Sequence, residues 1–520
     1  MLRKLFIGVV LLGALSILPK ALSIQAAPIS PDAPTRPIQD NLRVFQSGLT
    51  GLRETPAVVT QASGRAAFVL DEDTNILYYR VIVWDIEDIQ AAHLHPGLPG
   101  EIGPAEITLF PNTDPLFNVE RPLGGSIQLT QVQADRLMMD GYYINVHTTA
   151  HPPGEIRGQV AQFIPAEYNA TLQDTPLVVT DASGWARFWF TGTDFSVLNT
   201  EVWVSDIGNV TGAQLHPGLP TQIQSPVIDL NITLGVPPFV GATALTPQHL
   251  ADFLAGYNYM TVQTETFPAG ELRGQVTTGY HPFRASTPDN DEIQGQAILV
   301  LAQNMETLYS TWRFEGISQP PELVVVDPGG VTVFTLGNGP ITLTPIQVTE
   351  LVAGNYSIVI PGSPAGTRYP IQLFEPEARF NIPLLPLPGA PLRARGTAVL
   401  TLNIDRGLDM FHYRVWIHGV EDPMSAALYS GWENEEGDII VLLYPAFPED
   451  DREFNSNEII SGDLSLDPGD VANLLAGAVY VLVASEDMPE GVLRGQVGDQ
   501  YLIYKPVILK EAIPWTENQR

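Results

Sequence analysis

The sequence predicts an all-β protein built as four tandem antiparallel β-sandwich domains, each carrying one short helix. Three observations lead there. At 520 residues the chain is long enough for three or four domains of roughly 150 residues each. Its 45 Gly and 45 Pro punctuate a chain that is 44% hydrophobic, which suits many short strands and turns better than long helices. Finally, one unit is written four times along the chain.

The clearest mark of the unit is Gly-Glu-Ile-Arg-Gly-Gln-Val at 154–160, which returns almost unchanged at 270–276 and 491–497. A worn copy ends at Arg368, so Arg157, Arg273, Arg368 and Arg494 lie 116, 95 and 126 residues apart. Upstream, Gly64, Gly184, Gly295 and Gly396 each open an apolar strand, and long β-branched and aromatic strands follow over 76–86, 196–207, 307–314 and 410–420. A helix comes next, over 129–141, 245–256, 343–354 and 466–477. Thr130, Thr246, Thr344 and Asp467 cap it, because a side-chain oxygen accepts an orphan N–H of the first turn. Pro247, Pro345 and Pro468 sit where no N–H is needed. Gly141, Gly256, Gly354 and Gly477 close it where a positive φ is cheap. So short a helix is unstable alone and must dock on something. A strand bearing Tyr143, Tyr259, Tyr356 or Tyr480 then leads to the arginine strand. About seven strands in this rhythm fit an immunoglobulin-like sandwich. The units fall at 41–163, 166–278, 283–383 and 393–503, with the Pro/Leu-rich stretch 381–392 as a linker and 433–458 as an enlarged acidic loop.

Composition narrows the function. The absence of Cys excludes disulfides, thiolate metal sites and cysteine nucleophiles. A formal charge of −32 repels phosphate backbones, so nucleic acid is not an expected partner. Arg3 and Lys4, an apolar run over 5–18 and small residues up to Ala27 read as a signal peptide over 1–27, followed by a linker over 28–40. No second apolar span follows, so the mature chain is expected to be extracytoplasmic with no stable membrane span. The apolar stretch 501–510, which leads into the C-terminal tail 504–520, reads as a final strand or a short surface-association or sorting signal. No nucleophile elbow, phosphate-binding loop or zincin motif is present.

The histidines of unit one offer the most chemistry. His93 and His95, two apart on a strand, share a face, and Leu94 between them points inward together with its counterparts Leu215 and Leu428. Val146, repeated as Val262, Val359 and Val483, faces inward by the same logic, which turns His147 outward. If their strands are neighbours, His93, His95 and His147 converge as a Zn²⁺ or Cu²⁺ site, their nitrogens about 3–4 Å apart. The bland alternative is a polar network pinning the loop at Pro96, because unit two has Gln214, His216 and Gln263 there and unit four has Ala427, Tyr429 and Ala484. Glu155 with Arg157, and Glu271 with Arg273, share strand faces, but Arg368 and Arg494 recur without the glutamate. The arginines are therefore structural ties to backbone carbonyls. Asp71 to Asn75 forms a solvated hairpin tip rather than a calcium loop. Sequons stand at Asn169, Asn209, Asn231 and Asn355.

The pieces at 93–97, 143–148 and 153–160 together resemble the CHRD (chordin) domain family, a match that is specific in unit one, good in unit two and partial in units four and three. The resemblance implies an extracellular module. Chordin's growth-factor binding is associated with cysteine-rich modules that this chain lacks, so morphogen antagonism is not implied. The expected role is non-enzymatic, binding an extracellular protein or surface polymer or acting as a spacer. The alternative is a Zn or Cu protein with redox activity in unit one.

Overall fold

The computed structural model describes residues 41–498 and 502–504, apart from positions 59, 111–116, 166, 177, 192–194, 221, 289–291, 319–321, 338, 365, 375, 404–409 and 445–458. The expected signal peptide (1–27) and linker (28–40) lie outside the described residues, as does the expected tail beyond residue 504. The described chain is all-β and antiparallel, with four short helices. None of them is long and apolar enough to cross a membrane.

The first domain comprises β1 (Leu42–Thr50), β2 (Ser63–Asp71), β3 (Ile76–Trp84), β4 (Ile89–Pro96), β5 (Ile107–Phe110), β6 (Leu123–Gln128), α1 (Gln131–Met138), β7 (Tyr142–Thr148) and β8 (Ile156–Gln162). Two separate sheets were expected; the eight strands form one instead, in the order β5-β4-β7-β8-β1-β2-β3-β6. The reason is that β1 pairs with both β2 and β8 and so joins the two halves. The sheet curls until its ends meet, with the Tyr79 hydroxyl of β3 donating to Leu109 O of β5 at 3.1 Å.

The second domain repeats this order with β9 (Tyr168–Asp174), β10 (Ser183–Phe190), β11 (Val197–Ser205), β12 (Val210–Pro217), β13 (Ile228–Asp229), β14 (Phe239–Ala244), α2 (Pro247–Leu254), β15 (Asn258–Thr264) and β16 (Leu272–Gln275). A third region splits into a five-stranded and a four-stranded sheet around α3 (Pro345–Val352), and a nine-stranded sheet with α4 (Pro468–Ala476) follows.

The expected boundary at 381–392 is corrected, because the strand Pro376–Pro386 pairs residue by residue with Arg395–Asn403 and belongs to the nine-stranded sheet. Its buried Phe380, Ile382 and Leu384 alternate with more exposed residues, a period of two that the prolines obscured. Leu94, Leu215, Leu428, Val146, Val262 and Val483 are all fully buried. Val359 is not: Ile358 and Ile360 fill the core instead, and Tyr356 lies inside against Phe334. A slip of one residue relative to the other units turns every side chain of that strand over.

The helices are capped as expected, with Thr130, Thr246, Thr344 and Asp467 all accepting first-turn N–H groups. After α1, where the stretch from cap to closing glycine is one residue longer than in the other units, Asp140 rather than Gly141 takes the positive φ. Docking partners follow a rule: each of α2, α3 and α4 lies on the outer sheet face of the preceding unit. Asp252 of α2 pairs with Arg80 of β3 at 2.9 Å, Thr349 of α3 accepts the indole N–H of Trp185 in β10 at 3.1 Å, and Asn473 of α4 accepts the Thr311 hydroxyl at 2.6 Å. Neighbouring units therefore share apolar cores, as where Ala67, Val69 and Ile82 pack with the second domain's interior.

Candidate metal centre

Strands β4 and β7 are antiparallel neighbours, with Ala91 opposite His147, His93 opposite Asn145 and His95 opposite Tyr143. Because Leu94 and Val146 are drawn into the core, the histidines flanking them project to the other face, and there the three imidazoles meet. Each offers one ring nitrogen within 4.8 Å of the other two. Ligands of one ion are expected about 3–4 Å apart, and 4.8 Å bounds the separations here.

Hydrogen bonding decides which nitrogens are available. His95 Nδ1 donates to Gly103 O at 3.0 Å, and His147 Nδ1 donates to Pro152 O at 2.9 Å. Both rings are thereby fixed in the tautomer that leaves Nε2 as a lone pair. His95 Nε2, His147 Nε2 and His93 Nδ1 are all buried without a protein partner. Burial first, then the neighbouring imidazoles, pushes the His93 pKa down to about 4. Burial likewise lowers His95 and His147, against the opposing effect of their carbonyl bonds. The trio is therefore neutral at pH 7, the state a metal ligand requires.

The second domain supplies an internal control. His216 occupies the His95 position, and its Nδ1 donates to Gln224 O at 2.8 Å while Nε2 accepts from the Thr261 hydroxyl at 2.9 Å. Gln263 replaces His147 and donates to Gln214, which replaces His93, at 3.1 Å. There both ring nitrogens of His216 and the Gln263 amide N–H find partners, and Gln263 Oε1 alone of these groups is left over; in the first domain three imidazole nitrogens are without partners.

His95 also has a purely structural part. It stacks on Tyr143 at 5.0 Å between ring centroids, with the Arg157 guanidinium 3.3 Å over the same tyrosine. His216, Tyr259 and Arg273 repeat the stack, as do Tyr429, Tyr480 and Arg494. Each of these arginines also donates to loop carbonyls: Arg157 to Leu98 O, Arg273 to Gln222 O and Leu219 O, Arg494 to Trp432 O and Glu435 O. Arg368 ties down Pro328 O.

The glutamates do not meet the arginines. Glu155 accepts the hydroxyls of Thr60 and Thr148, both at 2.7 Å, and Glu271 accepts those of Thr180 and Thr264, both at 2.8 Å. The residue that sequence reading missed is Glu54, whose only signal was its place in a repeated Glu/Asp-Thr-Pro turn. It accepts from Asn145 Nδ2 at 3.2 Å. Burial pushes its pKa up to about 7, opposed by the Arg157 charge. Gly154 makes room for this contact, since a Cβ there would lie 2.5 Å or less from Glu54 and Asn145 atoms. At the hairpin tip, the Asp71 carboxylate accepts the N–H groups of Asp73 and Thr74. Among the sequons, Asn169 is fully buried, and its amide donates to Gly279 O and Gln303 O, which leaves no room for a glycan.

Comparison with curated proteins finds no match. Comparison with protein families matches the CHRD domain at residues 45–160, 168–276 and 382–497. Those three segments coincide with the three curled sheets and together cover well over half of the sequence, so the chain belongs to the CHRD domain family as a tandem-domain member.

Proposed function

We propose that this is an exported tandem CHRD protein whose first domain binds one divalent transition ion, Zn²⁺ or Cu²⁺, through His93, His95 and His147. The observation that carries the reading is the contrast between domains: the His216 ring and the Gln263 amide N–H find protein partners in the second, whereas three imidazole nitrogens cluster without partners in the first. Three neutral nitrogens, two of them oriented by backbone carbonyls, make a donor set suited to either ion. The family assignment and the signal-peptide pattern over 1–27 support an extracytoplasmic address. The third region, 281–373, is read as a diverged fourth copy, since it keeps the capped helix docked on its predecessor. The remaining units then act without catalysis, as spacers or binding surfaces.

The test uses the full chain without an affinity tag, dialysed after exposure to Zn²⁺ or Cu²⁺ and analysed for metal. One equivalent per chain is expected. The double variant His93→Gln/His147→Gln, which installs the residues of the second domain, should fold and retain none. A metal-free parent, or a variant that keeps as much as the parent, would defeat the reading.

A further inference from the structure

We propose that the cleft beside His93 and His147 admits a small anion as a further ligand to the bound ion. This rests on the metal reading above and goes beyond it to the class of ligand. Three imidazoles leave at least one coordination position of a Zn²⁺ or Cu²⁺ ion free. On the His95 side that position is closed, because the ring is buried, stacked on Tyr143 and held to Gly103 of the overlying loop. On the other side His93 and His147 form part of the wall of an open cleft of about 660 Å³.

The chemistry of the cleft selects the ligand. Its other described walls are Gln90, Ala91, Ala105, Thr108, Thr148, Thr149 and Pro152, and among the described residues that line it the imidazoles are the ionisable side chains. A divalent ion on three neutral rings keeps its full charge, and nothing in these walls offsets it. The Arg157 guanidinium, on the far side of Tyr143, adds to the positive field at His95. An incoming anion is therefore favoured locally by the ion and by Arg157, and meets no carboxylate among the described residues that line the cleft.

Azide is the probe. Cu²⁺-loaded full chain titrated with azide should develop an azide-to-copper charge-transfer band that saturates at one azide per copper. Ala105→Trp narrows the cleft from its exposed rim and should keep copper at parental stoichiometry while weakening azide at least about tenfold. Ala91→Leu, which enlarges the wall next to His93, should do the same and serves if the first variant folds poorly. Stoichiometric copper with no azide band overturns the inference, and so does an azide affinity indifferent to both wall variants. A parent that binds no copper overturns the metal reading itself, a result read separately by metal analysis.

Discussion

A histidine ring that gives one N–H to a carbonyl has a single lone pair left, and its surroundings decide what that lone pair does. In the first domain it faces two other imidazoles; in the second it accepts a threonine hydroxyl. His281 shows a third outcome. It is fully enclosed, with Nε2 2.6 Å from Asn169 Oδ1, and burial pushes its pKa down to about 4. The unfolded chain takes up this proton near pH 6.5, whereas the native state refuses it until about pH 4. Stability from this residue is therefore complete above pH 6.5 and lost as the pH falls toward 4. Urea denaturation at pH 7 and pH 5 should show the parent losing about 2 kcal/mol more than His281→Gln. An equal pH dependence in the two proteins would contradict the assignment.

At the scale of elements, the helices form because their caps and prolines favour a first turn, but they persist because they dock. Asp252 of α2 is paired with Arg80 beneath it, and the Tyr257 ring lies 4.4 Å from the same guanidinium. Asp252→Ala leaves that cation unpaired within an interface and should cost about 3 kcal/mol. Helix α1 belongs to the first described domain, and its Arg136 pairs with Glu106 at a partly exposed position. Arg136→Ala should cost less than about 1 kcal/mol. Denaturant titration of the two variants checks the difference, and similar losses would mean that docking does not hold α2 in place. The strand Pro376–Pro386 makes a related point: alternation of buried residues outweighs a proline-rich composition when the prolines occupy positions the ladder tolerates.

At the scale of the molecule, docking repeats from unit to unit, and the nine-stranded sheet also touches the loop between β1 and β2 of the first domain. Arg414 donates to Thr60 O at 2.8 Å and Arg379 to Gln61 Oε1 at 3.2 Å. These arginines stand among 26 basic residues facing 58 acidic ones. Like-charge repulsion across a chain of net charge −32 opposes compaction, and dissolved salt screens it over about 10 Å at 0.1 M. The thermal midpoint at neutral pH should therefore rise between low salt and 0.3 M NaCl. A midpoint that falls would show that attractive ion pairs such as Arg80–Asp252 dominate instead.

The repeated motifs, the capped helices and the inward leucines and valines were legible in the sequence because they depend on local periodicity and on side chains meeting water or core. The same periodicity placed His93, His95 and His147 on one face. Sequence could not show the single curled sheet, the shifted strand at 357–359 or the docking of each helix on its predecessor, since these depend on pairings between distant strands. Nor could it show that Gly103 and Pro152 each accept one imidazole proton. A backbone carbonyl has no residue-specific signature, and only the folded chain brings it within reach of the ring whose other nitrogen it frees.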